Sequence, residues 1–145
     1  MISDQSGKSV IITGSNTGIG YFMVKALASK GANVTMACRN LQKAERSKDR
    51  ILTEFPNSSI STKKLDLADL SSIEKFATNF SNENNQLDVL INNAGVMIPP
   101  KSSTKDGFEL QFGTNHLGHF ALTGRLLQIL NQTKNSRIIT VSSVA

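Results

Sequence analysis

The stretch "TGSNTGIG", residues Thr13–Gly20, directly follows the apolar run Val10-Ile11-Ile12 and places three glycines within eight residues. The apolar run predicts a short buried strand. A helix is predicted after it, because apolar residues recur at helical spacing at Ile19, Phe22, Met23, Ala26 and Leu27. A turn between a strand and a helix presents backbone N–H groups and the positive end of a helix dipole to an anion. It therefore predicts a phosphate-binding turn, with a glycine-rich turn that binds no ligand as the alternative.

The spacing of the glycines predicts a separate role for each. Gly14 allows a tight turn after the strand, and Gly18 lets the backbone approach a pyrophosphate without an intervening Cβ. Gly20 lets the helix pack closely on the sheet. Further hydrogen bonds to a phosphate are expected from the intervening side chains, which are Ser15, Asn16 and Thr17.

Strands and helices alternate along the remainder of the chain. Strands are predicted at Val10–Thr13 and within "NVTMAC", "SISTKKLDL", "LDVLIN" and "RIITVS". Two further helices follow from apolar stripes, one at Leu41, Ala44, Ile51, Leu52 and Phe55, the other at Leu70, Ile73, Phe76, Ala77 and Phe80, with "DLSS" as its cap. A long helical segment is predicted from about Asp106 to Asn131. We expect an α/β fold, a Rossmann-type doubly wound parallel sheet in strand order 3-2-1-4-5, as one domain over residues 1–145.

The amino-acid composition limits the classes of function, partner and location that we expect. The 145 residues contain 39% hydrophobic and 19% charged residues, which is ordinary for a globular protein. The net charge of +5 comes from mostly scattered basic residues, so we expect no nucleic-acid partner. No apolar run approaches the ~20 residues of a membrane span, and "MISDQSGKS" does not have the basic start and apolar stretch of a signal peptide, so we expect neither feature. With Cys38 as the only cysteine, we expect a cytoplasmic location without an internal disulfide.

Four further motifs point to one family. They are "LDL" at Leu65–Leu67, "NNAG" at Asn92–Gly95, "TNHLGHF" at Thr114–Phe120 and "RIITVSS" at Arg137–Ser143. Together with "TGSNTGIG", they resemble the signatures of the short-chain dehydrogenase/reductase family, in order and over essentially the whole chain. The segments "GSNTGIG", "ACRN" and "NNAGVM" resemble its retinol dehydrogenase-like branch.

The resemblance implies a set of residues that contact a nicotinamide cofactor. They are Gly14, Ser15, Asn16, Thr17, Gly18, Ile19, Gly20, Arg39, Asn40, Asp66, Leu67, Asn93, Ala94 and Gly95. Asp66 would accept a hydrogen bond from the adenine amino group, with the Leu67 backbone beside it. Residues 93–95 would lie near the ribose. A carboxylate at a helix N-terminus remains the alternative for Asp66, and turn chemistry alone for the two asparagines of "NNAG".

The end of the second predicted strand favours one cofactor over the other. NAD enzymes usually carry a carboxylate there, which binds the ribose 2′-hydroxyl. This chain has the neutral Cys38 followed by Arg39, and a guanidinium can pair bidentately with a 2′-phosphate. We therefore predict NADP(H), with an exposed arginine at the start of a helix as the alternative.

The catalytic set implied by the resemblance is incomplete in this sequence. Ser143 matches the serine that binds the substrate oxygen, and Asn115 matches the helix asparagine that kinks its helix and holds a water of the proton relay. The family's acid/base pair, Tyr-x-x-x-Lys, has no match after Ser143. The only tyrosine is Tyr21, and we reject its accidental spacing with Lys25 because both follow the glycine turn. We therefore expect a truncated enzyme, with a sheet incomplete at its C-terminal end, an exposed apolar edge at residues 138–142 and no activity of its own.

The predicted function is hydride transfer between NADP(H) and a small alcohol or carbonyl substrate of unknown identity. A non-catalytic NADP(H)-binding module remains open, and so does another Rossmann-like domain such as a methyltransferase. The resemblance implies a homodimer through the 106–131 helix. The apolar side of this helix would form core and subunit interface, with Leu117, Phe120, Leu126, Leu127 and Leu130. His116 and His119 are expected to be structural or surface residues and not metal ligands, since no third ligand is evident.

Overall fold

A computed structural model describes residues 2–143 and contains five strands, which are β1 (Ser9–Thr13), β2 (Asn33–Cys38), β3 (Ser59–Lys64), β4 (Val89–Asn92) and β5 (Arg137–Thr140). Neighbouring strands pair in parallel in the order β3-β2-β1-β4-β5. This confirms the predicted Rossmann-type sheet and its strand order. The order reverses between β1 and β4, the place where sheets of this kind bind ligands. Of the domain predicted over 1–145, residues 1, 144 and 145 lie outside the described part.

Helices cover both faces of the sheet. They are α1 (Gly18–Ala28), α2 (Leu41–Glu54), α3 (Leu70–Glu83), α4 (Leu110–Phe112) and α5 (Gly118–Gln132). Successive strand residues point to opposite faces, so β1 contributes to two cores. Val10 and Ile12 pack with buried residues of α1 and α2, whereas Ile11 packs with those of α3 and α5. Burial on both faces explains why β1, which is buried throughout, contains a continuous apolar run.

The third helix agrees with its sequence pattern. Its buried residues are Ile73, Phe76, Ala77 and Phe80, with Leu70 packed against the same core. The Asp69 carboxylate caps the helix by accepting hydrogen bonds from the backbone N–H groups of Ser71 and Ser72, at 2.9 and 3.3 Å. Both the predicted stripe and the predicted cap region are confirmed.

The predicted apolar stripe of α1 is correct only in part. Met23 and Leu27 are partly buried and pack against the core. Ile19 and Phe22 are each 65% exposed, and the buried residues are Gly20, Tyr21, Val24 and Ala28. A methyl group at Gly20 would lie 2.8 Å from the Ser15 Cα and 2.6 Å from the Asn93 Nδ2. This close approach decides which face of α1 meets the sheet, and hydrophobicity alone does not reveal it.

In α2 the structure changes two members of the predicted stripe. Leu41 is exposed at the first turn, and Phe55 lies just beyond the last residue of the helix. Ser47 takes part in the buried face instead, alongside Ala44 and Ile51. Its hydroxyl donates to the Asn16 carbonyl oxygen at 2.7 Å, so α2 is attached to the turn after β1 by a hydrogen bond.

The long helical segment begins later than predicted and is not uniform. Gly107 has φ 87°, and the Glu109 carboxylate caps α4 by accepting from the N–H groups of Gln111 and Phe112. The helix therefore starts at Leu110 and not near Asp106. Between α4 and α5 lies a π turn, Gly113–Leu117, with hydrogen bonds one residue wider than those of an α-helix.

Within the described residues, β5 forms one edge of the sheet. It pairs with β4, and the Val141 N–H continues the pairing to the Asn92 carbonyl oxygen. Ile138 and Ile139 point to opposite faces, and each remains nearly half exposed. The apolar edge predicted for residues 138–142 is therefore present.

Candidate functional site

A cavity of about 370 Å³ opens at the carboxyl ends of β1, β2 and β4. Nine of the fourteen predicted cofactor residues line it, which are Gly14, Asn16, Thr17, Arg39, Asn40, Leu67, Asn93, Ala94 and Gly95. Five residues outside the predicted cofactor set also line it, which are Ala37, Lys43, Leu65, Val96 and Thr114. The cavity thus lies at the reversal of strand order, where the fold predicts a ligand.

Two positive φ angles shape the glycine turn. Gly14 has φ 61° and Gly18 has φ 56°, values that residues with a side chain rarely adopt. Gly14 also has no room, since a methyl group there would lie 2.7 Å from the Ala94 Cβ. At Gly18 no other atom would come within 4 Å of an added methyl group, so the space above it is open. The tight turn predicted at Gly14 and the accessible backbone predicted at Gly18 both fit this geometry.

Helix α1 begins without a side-chain cap. Its N-cap residue, Thr17, makes no capping hydrogen bond, and the first turn contains no acidic residue. By contrast, side-chain oxygens accept N–H groups at the starts of α2, α3 and α4, namely those of Asn40, Asp69 and Glu109. The first N–H groups of α1 are therefore orphan donors beside the cavity that Thr17 lines. Such a helix start suits a phosphate.

Not every residue of the turn faces the cavity. Ser15 is fully buried, and its hydroxyl donates to the Ile12 carbonyl oxygen at 3.0 Å. In this structure the hydroxyl thus bonds to the end of β1, and the hydrogen bond expected from the Ser15 side chain to a phosphate stays a prediction. The Ile19 side chain is exposed and does not line the cavity. Gly20 has the predicted packing role on the sheet side of α1.

Thr13 joins the ends of β1 and β4. Its Oγ1 is completely buried and accepts the backbone N–H groups of Asn93 and Ala94, each at 2.9 Å. The Asn93 Nδ2 donates back to the Thr13 carbonyl oxygen at 2.9 Å. The "NNAG" turn is thereby fixed against the glycine turn, and the Asn93 side chain does more than turn chemistry alone requires.

His119 extends this cluster into α5. Its Nδ1 lies 2.9 Å from the Asn115 carbonyl oxygen, which can only accept, so Nδ1 carries the proton. Its Nε2 lies 2.8 Å from the Thr13 Oγ1. Since that oxygen already accepts two N–H groups, the Thr13 O–H donates to the His119 Nε2. Burial lowers the pKa of His119 below its ordinary value of 6.5, and the hydrogen bond to Asn115 opposes this only in part.

Acidification is expected to destabilise the fold through His119. Its pKa is lower in the folded than in the unfolded chain, so as the pH falls the unfolded chain binds the proton first. The stabilisation is complete above pH 6.5 and is lost as the pH falls from 6.5 through the lowered pKa. Urea denaturation at a series of pH values should show a steeper loss of unfolding free energy in the wild type than in His119→Gln. The control is His116→Gln, whose exposed ring stacks on Phe112. Equal slopes for the wild type and His119→Gln would contradict this assignment.

The end of β2 brings positive charge to the cavity. Cys38 is buried, and burial raises the pKa of its thiol, so it contributes no charge. Arg39 and Asn40 then line the cavity. The Asn40 Oδ1 is occupied by the Lys43 N–H, 2.9 Å away, as the cap of α2. Any contact of Asn40 with a ligand would therefore use its other polar atoms.

Leu67 and Asp66 differ in their relation to the cavity. Leu67 lines it, whereas Asp66 does not. The Asp66 Oδ1 accepts the Ala68 N–H at 2.9 Å, and the Asp66 N–H donates to the Ser72 Oγ. These contacts agree with the alternative role of Asp66 near the start of α3, and its hydrogen bond to adenine stays a prediction.

Asn115 lies in the π turn and holds the segment that follows β4. Its Oδ1 accepts the Val96 N–H and its Nδ2 donates to the Val96 carbonyl oxygen, both at 2.8 Å. The predicted irregularity of the helix is present, and its role in a proton relay stays a prediction. Ser143 is exposed three residues beyond β5, and its carbonyl oxygen lies 3.5 Å from the Ser142 hydroxyl.

Tyr21 and Lys25 do not take part in the cavity. The Tyr21 side chain, on α1, is buried in the core, and the Arg50 guanidinium lies 5.1 Å from the centre of its ring. The Lys25 Nζ forms an ion pair with Glu54 at 2.8 Å. These contacts agree with the rejection of this pair as an acid/base site.

The unpredicted wall residues include two polar ones. Within the described residues, the buried Thr114 Oγ1 has no hydrogen-bond partner. Lys43 lies one helical turn after Arg39 and at the same cavity. Its spacing from Arg39 is the signal in the sequence that would have found it. Thr114 begins the "TNHLGHF" motif, which was not assigned a contact with the cofactor.

The described part of the chain offers neither a cluster of metal ligands nor a membrane-spanning helix. No group of three or more His, Cys, Asp or Glu side chains there could hold a metal ion. Among residues 2–143, no helix is long and apolar enough to cross a membrane.

Comparison with known proteins agrees with the geometry. Residues 8–145 match the family described as short chain dehydrogenase. Human retinol dehydrogenase 12 is 51% identical over 139 residues, which cover 96% of this chain and 44% of that protein. Human retinol dehydrogenase 13 is 50% identical over 139 residues, which cover 42% of that protein. This chain thus spans less than half the length of the curated relatives that it matches.

A solved structure shows the same architecture. A metagenomic short-chain oxidoreductase in complex with NADP superposes with a TM-score of 0.83 and is 26% identical, covering 97% of this chain and 64% of that one. The five-stranded parallel sheet, the glycine turn and the "NNAG" turn occur here in the matching order. The chain therefore belongs to the short-chain dehydrogenase/reductase family, and within it to the retinol dehydrogenase-like branch.

Proposed function

We propose that this chain binds NADP(H) in the cavity and provides the cofactor-binding part of an enzyme that interconverts an alcohol and a carbonyl compound. The observation that carries the proposal is the uncapped start of α1, which faces open space at Gly18. Orphan N–H groups at a helix start are matched to a pyrophosphate by both hydrogen bonding and dipole.

The remaining wall suits the other parts of the same ligand. The buried Thr114 Oγ1, without a partner among the described residues, would gain one from a hydroxyl or amino group of the ligand. Residues 93–95 present backbone close to the turn, as expected for a contact with ribose. The Arg39 guanidinium at the rim would bind a 2′-phosphate. The metagenomic relative was solved with NADP, which supports the same choice.

The protein's contribution to the reaction would be positional. A bound nicotinamide supplies hydride exchange with the carbon that carries the substrate oxygen. Thr13 and Asn93 fix the two turns that hold the cofactor, and Asn115 fixes Val96 beside them. Ser143 would donate a hydrogen bond to the substrate oxygen. Proton transfer by a Tyr-x-x-x-Lys pair belongs to the proposal for a longer enzyme, and on this view the 145 residues alone are inactive.

The substrate and the assembly are further parts of the proposal. The matched relatives are named retinol dehydrogenases, so we propose an apolar alcohol or its carbonyl counterpart. Met97, Ile98 and Phe112, on or near the segment after "NNAG", expose apolar side chains that suit such a compound. Phe120 and Leu127 are exposed on α5, which supports the homodimer expected through this helix. The cytoplasmic location stays a prediction.

Replacing Arg39 by aspartate tests the choice of cofactor. The carboxylate would repel a 2′-phosphate and accept a hydrogen bond from a ribose hydroxyl, so NADPH affinity should fall about 100-fold while NADH affinity is retained or improved. Isothermal titration calorimetry with each coenzyme measures both. The control is Arg46→Asp on the exposed side of α2, which should leave both affinities within about twofold. An equal loss of affinity for both coenzymes in Arg39→Asp would contradict the proposed contact.

An NADP(H)-binding module without catalysis predicts the same titrations, and no structural observation favours it over the enzyme.

A further inference from the structure

His119 is a buried ionisable residue that the proposed hydride transfer does not use. It is 6% exposed, and its ring bonds to the end of β1 at Thr13 and to the π turn at Asn115. An apolar side chain could fill such a position without removing an imidazole from water. Both ring nitrogens form hydrogen bonds, so the histidine has a role in this place that packing alone does not explain.

The Thr13 hydroxyl has no spare capacity for hydrogen bonds. A hydroxyl has one hydrogen to donate and two lone pairs that accept. The hydrogen is used by the His119 Nε2, which lies 2.8 Å from the Thr13 Oγ1. The lone pairs are used by the N–H groups of Asn93 and Ala94. All three bonds exist together only while Nε2 carries no proton.

A proton on Nε2 is incompatible with this arrangement. The imidazolium ring has two donors and no acceptor, so Nε2 would compete with the two backbone N–H groups for the Thr13 Oγ1. The Thr13 O–H would also lose its acceptor, and the Ile91 carbonyl oxygen, 3.5 Å away, is too distant to replace it well. Three donors cannot share two lone pairs, so the bond to Asn93 or to Ala94 would be lost.

The surroundings of the ring offer no compensation for a positive charge. Among the described residues no ion pair involves His119, and β1 and β4 contain no ionisable side chain. The other ionisable side chains of α3, α5 and the π turn are all exposed, and they are Glu74, Lys75, Glu83, Arg125 and His116. The nearby Cys38 thiol lies against the Ser15 hydroxyl, and burial keeps it neutral by raising its pKa. A proton on the ring therefore acts mainly on Thr13.

We propose that His119 is a positioning residue of the coenzyme site, which acts through Thr13 and makes coenzyme binding sensitive to protons. The inference rests on the proposed function. The neutral ring holds Thr13, Thr13 holds the "NNAG" turn, and residues 93–95 of that turn line the cavity. The protonated ring releases the turn. A proton at His119 and a coenzyme in the cavity therefore oppose each other, and the opposition is reciprocal.

Calorimetric titration of the 145-residue chain with NAD⁺, between about pH 5 and pH 8, tests this coupling. NAD⁺ is the suitable probe because its pyrophosphate stays ionised throughout, whereas a 2′-phosphate takes up a proton near pH 6. The affinity should be constant above pH 6.5 and fall below it, by up to about tenfold per pH unit. Binding in that range should release up to one proton, which titrations in two buffers of different ionisation enthalpy detect. Circular dichroism identifies the pH values at which the chain is folded.

His119→Gln is the decisive variant, because an amide gains no proton in this range. Whatever its affinity at neutral pH, that affinity should vary by less than about twofold down to the lowest pH at which the variant is folded. Thr13→Ser keeps the hydroxyl and should retain the wild-type pH dependence. The matched control is His116→Gln, which removes the other histidine of the chain and should also retain it.

Nuclear magnetic resonance of the two histidine rings gives a reading on the wild type that needs no variant. Saturation with NAD⁺ should move the titration midpoint of His119 to lower pH, because the bound coenzyme favours the neutral ring. The midpoint of His116, whose exposed ring stacks on Phe112, should stay in place. A purely structural role for His119 predicts no such shift.

The outcomes separate this inference from the proposed function. The role of His119 is refuted, while the proposed function stands, if the folded wild type binds NAD⁺ with the same affinity at every pH. The same holds if His119→Gln keeps the wild-type pH dependence, or if NAD⁺ leaves the His119 midpoint unmoved. If the folded wild type binds neither NAD⁺ nor NADP⁺ at neutral pH, the proposed function itself fails.

Discussion

Gly14→Ala is expected to lower the free energy of unfolding by about 3 kcal/mol or more. Gly14 has φ 61°, and its added methyl group would lie 2.7 Å from the Ala94 Cβ and 2.8 Å from the Ala94 Cα. The turn cannot move away freely, since the Gly14 N–H donates to the Ala37 carbonyl oxygen at 2.9 Å. Urea denaturation followed by circular dichroism measures the change.

Gly18→Ala is the matched control for this prediction. Gly18 has a similar φ of 56°, but nothing lies within 4 Å of an added methyl group. Only the cost of the left-handed conformation remains, about 1 kcal/mol. The variant should stay folded and yet lose coenzyme affinity, because the methyl group would stand in the space assigned to the pyrophosphate. Equal free energies of unfolding for the two alanine variants would contradict the predicted clash between the Gly14→Ala methyl group and Ala94.

Thr13→Val is expected to lower the free energy of unfolding strongly, although it keeps the shape of the buried side chain. Valine matches threonine in volume but leaves the N–H groups of Asn93 and Ala94 without their acceptor, and removes the hydrogen bond to His119. An unsatisfied buried donor costs about 1–3 kcal/mol, so the loss of unfolding free energy should reach about 3 kcal/mol. Coenzyme affinity should fall as well, because the two turns are no longer fixed to each other.

Thr13→Ser provides the control, since it keeps the hydroxyl and removes only a methyl group. It should retain most of the hydrogen-bonded cluster and lose about 1 kcal/mol. Stability of Thr13→Val equal to that of Thr13→Ser would mean that the hydroxyl does not hold the turns together. Hydrogen exchange at the Asn93 and Ala94 amides gives an independent reading, with faster exchange expected in Thr13→Val.

The parallel sheet followed from local patterns in the sequence, and its strand order followed from the resemblance to a known family. Apolar runs of strand length, separated by amphipathic helices, are sufficient for a doubly wound sheet. Helix α3 was equally readable, since its cap residue Asp69 and its apolar stripe agree. The start of the long helical segment could not be predicted in this way. The turn at Gly107 and the cap at Glu109 delay the helix, although the apolar pattern continues across them.

Features set by contacts between distant segments escaped prediction. The buried face of α1 depends on the contact of Gly20 with Asn93, and two large apolar residues are exposed as a result. The bond between Thr13 and His119 joins residues 106 positions apart. No local pattern contains such information.

Only part of the cavity wall was predicted from the sequence, because only part of it belongs to local motifs. Its glycine turn, Arg39 and the "NNAG" turn belong to recognisable motifs, and all contribute residues to the wall. Lys43 and Thr114 contribute through the folding of α2 and of the π turn toward the same point. Their contribution to the cavity depends on how these two elements fold, in addition to residue type.

Titration of the wild-type protein with NADPH and NADH in parallel, by calorimetry, tests the central claim most directly. The claim is that a phosphorylated dinucleotide binds with its pyrophosphate at the uncapped start of α1 and its extra phosphate at Arg39. The predicted result is saturable binding of both coenzymes at one site, with NADPH about 10-fold tighter or more. Absence of binding by a folded protein, or tighter binding of NADH than of NADPH, would contradict the account.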